Sequence, residues 1–242
     1  MKEKDLMKME LDFKGQLTKL ALQKVDQIIQ GLEKEKQLED GFAIRDFYQL
    51  FMEDKQVLQD IMDSFRKKVT SYTMTSKDIP IYYSYQDPTY TIAFHDKQFS
   101  LDKENFSKLF SSTIEIMRDL LPLGTVVELN PEYFKLDQPT SSPTKVVITG
   151  RYIAPQNYST YFPYAGVVYP LGEIRKDAQI YFTEPLIQSI VHLGYQDEME
   201  RAFELLMKEE FILDRDLQSI EFSGSDMKKL ENDLKHQQVG EL

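Results

Sequence analysis

The chain has no cysteine and no tryptophan, and three histidines among its 242 residues. Without cysteine there is no disulfide framework, no thiolate nucleophile and no cysteine-based zinc site. A chain of this length buries enough surface to fold without such staples. Long apolar runs are also missing. Charges interrupt residues 1–10 every few positions, so the apolar core of a signal peptide is absent. No stretch approaches the roughly 18 apolar residues of a membrane span. These features predict a cytoplasmic protein without stable membrane insertion. Basic residues are in deficit, 29 against 40 acidic, for a formal charge of −11. Such a surface repels phosphate, which excludes a nucleic-acid binder working by bulk charge. What is present, 41% hydrophobic and 12% aromatic residues, is globular in kind.

Proline and glycine are unevenly spread. Residues 1–121 hold two of the ten prolines and three of the ten glycines, which predicts a helix-rich first half and a turn-rich second. Residues 4–39 read as one long helix whose stripe is Leu6, Met9, Phe13, Leu17, Leu20 and Ile28. Asp40-Gly41 supplies a turn, and a second helix over about 43–70 completes a helical hairpin. Residues 79–85 and 89–95 flank Gln86-Asp87-Pro88 and read as a β-hairpin inserted in the helical segment. Asp102 is positioned to cap a third helix over about 103–120, ended by Pro122.

Beyond Pro122 the expected elements are short strands over 124–129, 145–153, 164–169, 178–182 and 189–193, then an acidic helix over 196–209. The polar loop 137–144 is expected to be mobile. The expected organisation is a helical segment with its hairpin over 1–120, a small α+β domain over 121–223 and a polar C-terminal tail over 224–242. The fold class is α+β: an N-terminal helical hairpin plus a small antiparallel sheet with flanking helices.

Catalytic signatures are absent. There is no G-x-S-x-G, H-E-x-x-H, G-x-G-x-x-G or Walker loop. The look-alike Phe222-Ser-Gly-Ser-Asp226 lacks the first glycine. His95 beside Asp96 reads as a turn pair at a strand end, His192 as a solvent-side strand residue, and no two histidines are spaced as a metal pair. Asp197, Glu198, Glu200, Glu204, Glu209 and Glu210 crowd one helix and read as its solvated polar face, with Met199, Phe203 and Leu206 at helical spacing. Asp214 and Asp216 lack the glycine and ligand spacing of a calcium loop. Tyr158, Tyr161, Phe162, Tyr164 and Tyr169 cluster near prolines, which suits either an interface or a β-core with hydroxyls at its rim. No cofactor is expected, and the chain reads as non-catalytic.

Four phrases of the second half stand in a recognisable order: Leu121-Pro-Leu-Gly-Thr-Val-Val127, Val146-Val-Ile-Thr-Gly-Arg151, Pro163-Tyr-Ala-Gly-Val-Val-Tyr-Pro-Leu-Gly172 and Ile190-Val-His-Leu-Gly-Tyr-Gln-Asp-Glu198. Over about residues 118–210 they resemble the bacterial domain of unknown function four-one-seven-six. The signature positions here are Pro122, Gly124, Gly150, Arg151, Tyr164, Gly166, Tyr169, Pro170, Gly172, Gly194 and Tyr195. Gly150 and Gly166 are expected to bound strands at a bulge or tight turn, Gly172 to close a turn and Gly194 to end the last strand. The resemblance implies no catalytic residues. It implies a setting in type VII secretion clusters of Gram-positive bacteria, beside LXG-type polymorphic toxins. The expectation is therefore an adaptor or chaperone for such a toxin, binding it through the helix-1 stripe. The alternative is an immunity protein whose −11 charge suits a basic toxic domain.

Overall fold

The computed structural model describes residues 3–38, 41–132, 144–174 and 178–240, with side chains described over 11–38 and from 41 to 233 within those ranges. The expected mobile loop lies outside the described residues except for Thr144, and Asp40 of the expected turn lies outside them too. The fold is α+β. The chain divides into two compact units: residues 1–118 with 212–214, and residues 119–211 with 215–242.

The first unit opens with α1 (Glu3–Lys34). The expected second helix is two helices, α2 (Phe42–Phe51) and α3 (Lys55–Arg66). The break has a local cause: the Asp54 carboxylate accepts the Val57 amide at 3.2 Å and so caps a new helix where the apolar periodicity runs on. The expected hairpin is the centre of a four-stranded antiparallel meander in the order β1 (Ser71–Ser76), β2 (Ile79–Gln86), β3 (Thr89–Phe94), β4 (Lys97–Leu101). β1 follows the earlier end of α3. Lys77 and Asp78 both take left-handed φ, 50° and 62°, as a two-residue hairpin turn demands. His95 and Asp96 form the turn between β3 and β4, as expected of that pair.

Alternation along these strands sends Met74, Ile81, Tyr83, Ile92, Phe94, Phe99 and Leu101 inward. They face an aromatic core in which Phe47 meets Phe94 at 5.5 Å and Phe110 at 6.0 Å, ring centre to ring centre. α4 (Lys103–Met117) is capped by Asp102, whose carboxylate accepts the Asn105 amide at 2.9 Å. It packs along α1. Tyr48 is enclosed there; it donates to the Leu109 carbonyl and accepts from Thr113, and burial pushes its ionisation far above the ordinary tyrosine range.

The second unit is built on a sheet in the order β10 (Gln218–Ser219), β7 (Thr160–Val168), β6 (Lys145–Ile153), β5 (Val126–Leu129), β9 (Ile187–His192), with β8 (Ile180–Phe182) pairing β7 off this path. All pairings are antiparallel except the short β10–β7 contact. α5 (Glu198–Lys208) continues into a π-helical turn, Glu209–Asp214. Ile212 of that turn is held within the first unit, its carbonyl accepting the buried Lys24 ammonium at 2.6 Å. The polar tail is helix α6 (Gly224–Gly240). Its start is fastened by Asp226, which accepts from the Ser159 amide and the Thr160 hydroxyl. Farther along, Asp233 accepts from the Tyr158 hydroxyl at 2.7 Å.

Candidate protein-docking face on helix 5

The two histidines of the described side chains stand where the sequence reading placed them. His192 lies exposed on β9 and His95 sits in a turn. Among the described residues no group of three or more His, Asp or Glu is placed to hold a metal ion, and no helix is long and apolar enough to cross a membrane. The helix-1 stripe is not a free surface. Phe13, Leu17, Leu20 and Ile28 are buried beside α4 and α2, because a 3–4 apolar stripe next to a second apolar helix is removed from water by its own chain. The side chains of Leu6 and Met9 lie outside the described residues.

The signature residues build the frame of the second unit. The Thr125 hydroxyl donates to the Pro122 carbonyl at 2.7 Å and accepts the Gly194 amide at 3.0 Å, tying the start of β5 to the end of β9. A Cβ on Gly194 would fall on the Leu123 carbonyl oxygen, so backbone meets backbone there. Gly124 holds φ at +80° and gives its amide to Ile148 at 2.8 Å. The β6–β7 register shifts between Ile148 and Gly150, which is the expected bulge. Gly166 does not bound a strand. It lies inside buried β7, where a Cβ would strike Val146 and the Val147 backbone. The Tyr169-Pro170 bond is cis, and the Gly172 amide closes the turn onto Val168 at 2.8 Å. Of the aromatic cluster, Tyr161, Phe162 and Tyr164 are core and Tyr169 is exposed. The Tyr164 hydroxyl accepts the Leu121 amide at 3.2 Å.

Helix α5 keeps part of its expected acidic face, with Glu198, Glu209 and Glu210 exposed, but departs from it at Glu204 and along its apolar stripe. Asp197 caps it, accepting the Glu200 amide at 2.9 Å, and the acids of its first turn favour the helix dipole. Glu204 and Lys208 are nonetheless 1% and 0% exposed, whereas Met199 and Leu206 are 79% and 61% exposed, with Phe203 also open to solvent. Glu204 and Lys208 face in and Met199, Phe203 and Leu206 face out, while Glu198, Glu209 and Glu210 stay exposed.

The inward charges close on one another. Glu204 accepts from Lys208 at 2.8 Å, from Arg201 at 3.4 Å and from the Leu120 amide at 3.2 Å. Arg151, reaching from β6, donates to both oxygens of Glu200 from its two terminal guanidinium nitrogens, the second at 3.1 Å. Its guanidinium also lies over the Phe203 ring at 5.2 Å. Arg201, Glu204 and Lys208 step by three and four, so each charge meets its opposite one turn away. That alternation of sign, with Glu204 shared by Arg201 and Lys208, lets this face be buried; a row of carboxylates alone would not tolerate it.

The outer face then carries Met199, Ala202, Phe203 and Leu206, all exposed. Earlier in the chain, Tyr195, Leu193, Val191 and Ile190 are exposed as well. The last two lie on β9, which stands at the end of the sheet order. A terminal strand without acidic, lysine or arginine side chains and an apolar helix face are both forms in which proteins present docking surfaces. The signals missed in the sequence were Arg201 and Lys208, whose spacing to Glu204 marks a charge row able to satisfy itself. No curated protein matches the chain, and no solved structure matches it. Residues 120–203 match the family model described as Domain of unknown function (DUF4176), the family their phrases resemble, and the match ends at Phe203 on the docking face.

Proposed function

We propose that the protein is a non-catalytic interaction factor, a cytoplasmic adaptor or chaperone for an LXG-type toxin exported by a type VII secretion system. The observation that carries the interaction reading is α5, which buries Glu204 and Lys208 and leaves Met199, Phe203 and Leu206 in water. An apolar stripe of this kind gains free energy when a partner covers it. The toxin setting comes from the resemblance of the second half. The client surface lies on the second unit, because the helix-1 stripe is occupied by the protein's own core.

The test is co-expression with the LXG-type toxin of the same gene cluster, whole and split into its N-terminal export half and its C-terminal toxic half. An adaptor co-purifies with the export half. Capture of the toxic half alone replaces the adaptor with an immunity protein, a role the −11 charge suits if that domain is basic. Capture of neither contradicts both.

A further inference from the structure

We propose that the outer face of α5 docks an amphipathic helix of the protein partner whose apolar stripe is bordered by lysine and arginine. This rests on the interaction reading above and names the chemistry of what is bound.

The stripe Met199, Phe203, Leu206 follows the 3–4 spacing of one helix side, and Ala202 between its members leaves a shallow seat. Ridges and grooves of this spacing receive another helix. Exposed carboxylates stand at both ends: Glu198 beside Met199, and Glu209 and Glu210 one turn past Leu206. From Glu198 to Glu210 is about 18 Å at helical rise, some three turns of a partner helix.

Among the described residues no cation is paired with Glu198, Glu209 or Glu210. The basic residues of α5 are Arg201 and Lys208, and both are turned into the Glu204 pairs. The outward field is therefore negative at each end of an apolar centre, and its complement is an apolar stripe with positive borders. A second copy of the same face brings carboxylate to carboxylate. Phe203 is already held by the Arg151 guanidinium over its ring, so less side-chain freedom is lost on docking.

The experiment titrates the full chain against two labelled synthetic 18-residue helical peptides with the same leucine stripe, one bordered by lysine and one by glutamate. The lysine-bordered peptide is expected to bind at least tenfold more tightly, and its advantage to shrink as salt rises. The double variant Met199→Ser/Leu206→Ser keeps the charge and is expected to weaken that peptide at least tenfold. Glu198→Gln/Glu209→Gln/Glu210→Gln is expected to remove most of the salt dependence. Tyr82→Ser, an exposed change in the first unit, is expected to change nothing.

Equal binding of the two peptides overturns the proposal, as does wild-type binding by the Met199/Leu206 variant. So does a two-chain mass in light scattering that the same variant reduces to one, which makes a second copy the occupant. The toxin co-purification is read separately. If the wild type captures the toxin and the Met199/Leu206 variant captures it equally, the face is wrong and the interaction reading survives. If the peptides behave as expected and no toxin is captured, the toxin assignment fails and the face stands.

Discussion

Glu204 is the residue on which α5 turns. Its carboxylate accepts two cations and a backbone amide while 1% exposed. Removing one member of a buried charge group strands the others, at about 3–5 kcal/mol. Glu204→Ala is expected to lower unfolding stability by that order in denaturant titration, whereas Glu210→Ala, exposed and beyond the row, is expected to lie within about 0.5 kcal/mol of wild type. Gly194 has a different task. Since a Cβ there collides with a carbonyl oxygen rather than a flexible side chain, Gly194→Ala is expected to cost about 1–3 kcal/mol.

Tyr158 gives a pH prediction at the same scale. Its hydrogen bond to the Asp233 carboxylate pushes its ionisation up to about 12. A group whose folded pKa is raised stabilises the fold fully below its unfolded value of about 10, and that contribution is lost as pH rises through 12. Asp233→Ala is therefore expected to move one tyrosinate absorbance step downward towards pH 10, read as the difference from the wild-type titration. An unchanged titration would mean that the bond does not hold α6 in solution.

At the scale of elements, legibility followed whether a local signal was decisive. The Asp102 cap and the apolar periodicity of 103–117 placed α4. The split of α2 from α3 was hidden, because apolar spacing continues across Asp54 and only its capping bond breaks the helix. The first strand of the meander was missed because the helix was extended over 67–70 and because Lys77-Asp78 is a turn by left-handed φ without glycine, and the last follows a turn at His95, also left-handed without glycine. The strand signal of the second unit placed β6 on its residues, while β7 starts four residues before the expected strand and β10 is too short to leave a periodicity. In α5 both faces carry helical spacing. Composition favours charge outward, and only the tertiary partners Arg151 and Leu120 decide otherwise. The docking face was thus present in the sequence as three correctly spaced residues, Met199, Phe203 and Leu206, whose exposure could not be read from spacing.

At the scale of the molecule, the chain is two compact units, each built on its own sheet. The helix-1 stripe belongs to the first core. Leu17→Ala is accordingly expected to destabilise the protein by about 2–5 kcal/mol in denaturant titration and to leave the peptide affinity of the second unit unchanged under native conditions. A stripe that served as the client site would show the reverse, with binding lost and stability kept. The segment matched by the family model holds the frame glycines, the Arg151 anchor and most of the docking face, so the interaction reading is localised there.

The measurement that bears most directly on this account is the mass, by light scattering, of the protein co-expressed with the LXG-type toxin, compared between wild type and Met199→Ser/Leu206→Ser. The account predicts a stable heteromer containing the toxin's export half with the wild type and a lone chain with the variant. A wild-type protein that remains alone beside the whole toxin would contradict it.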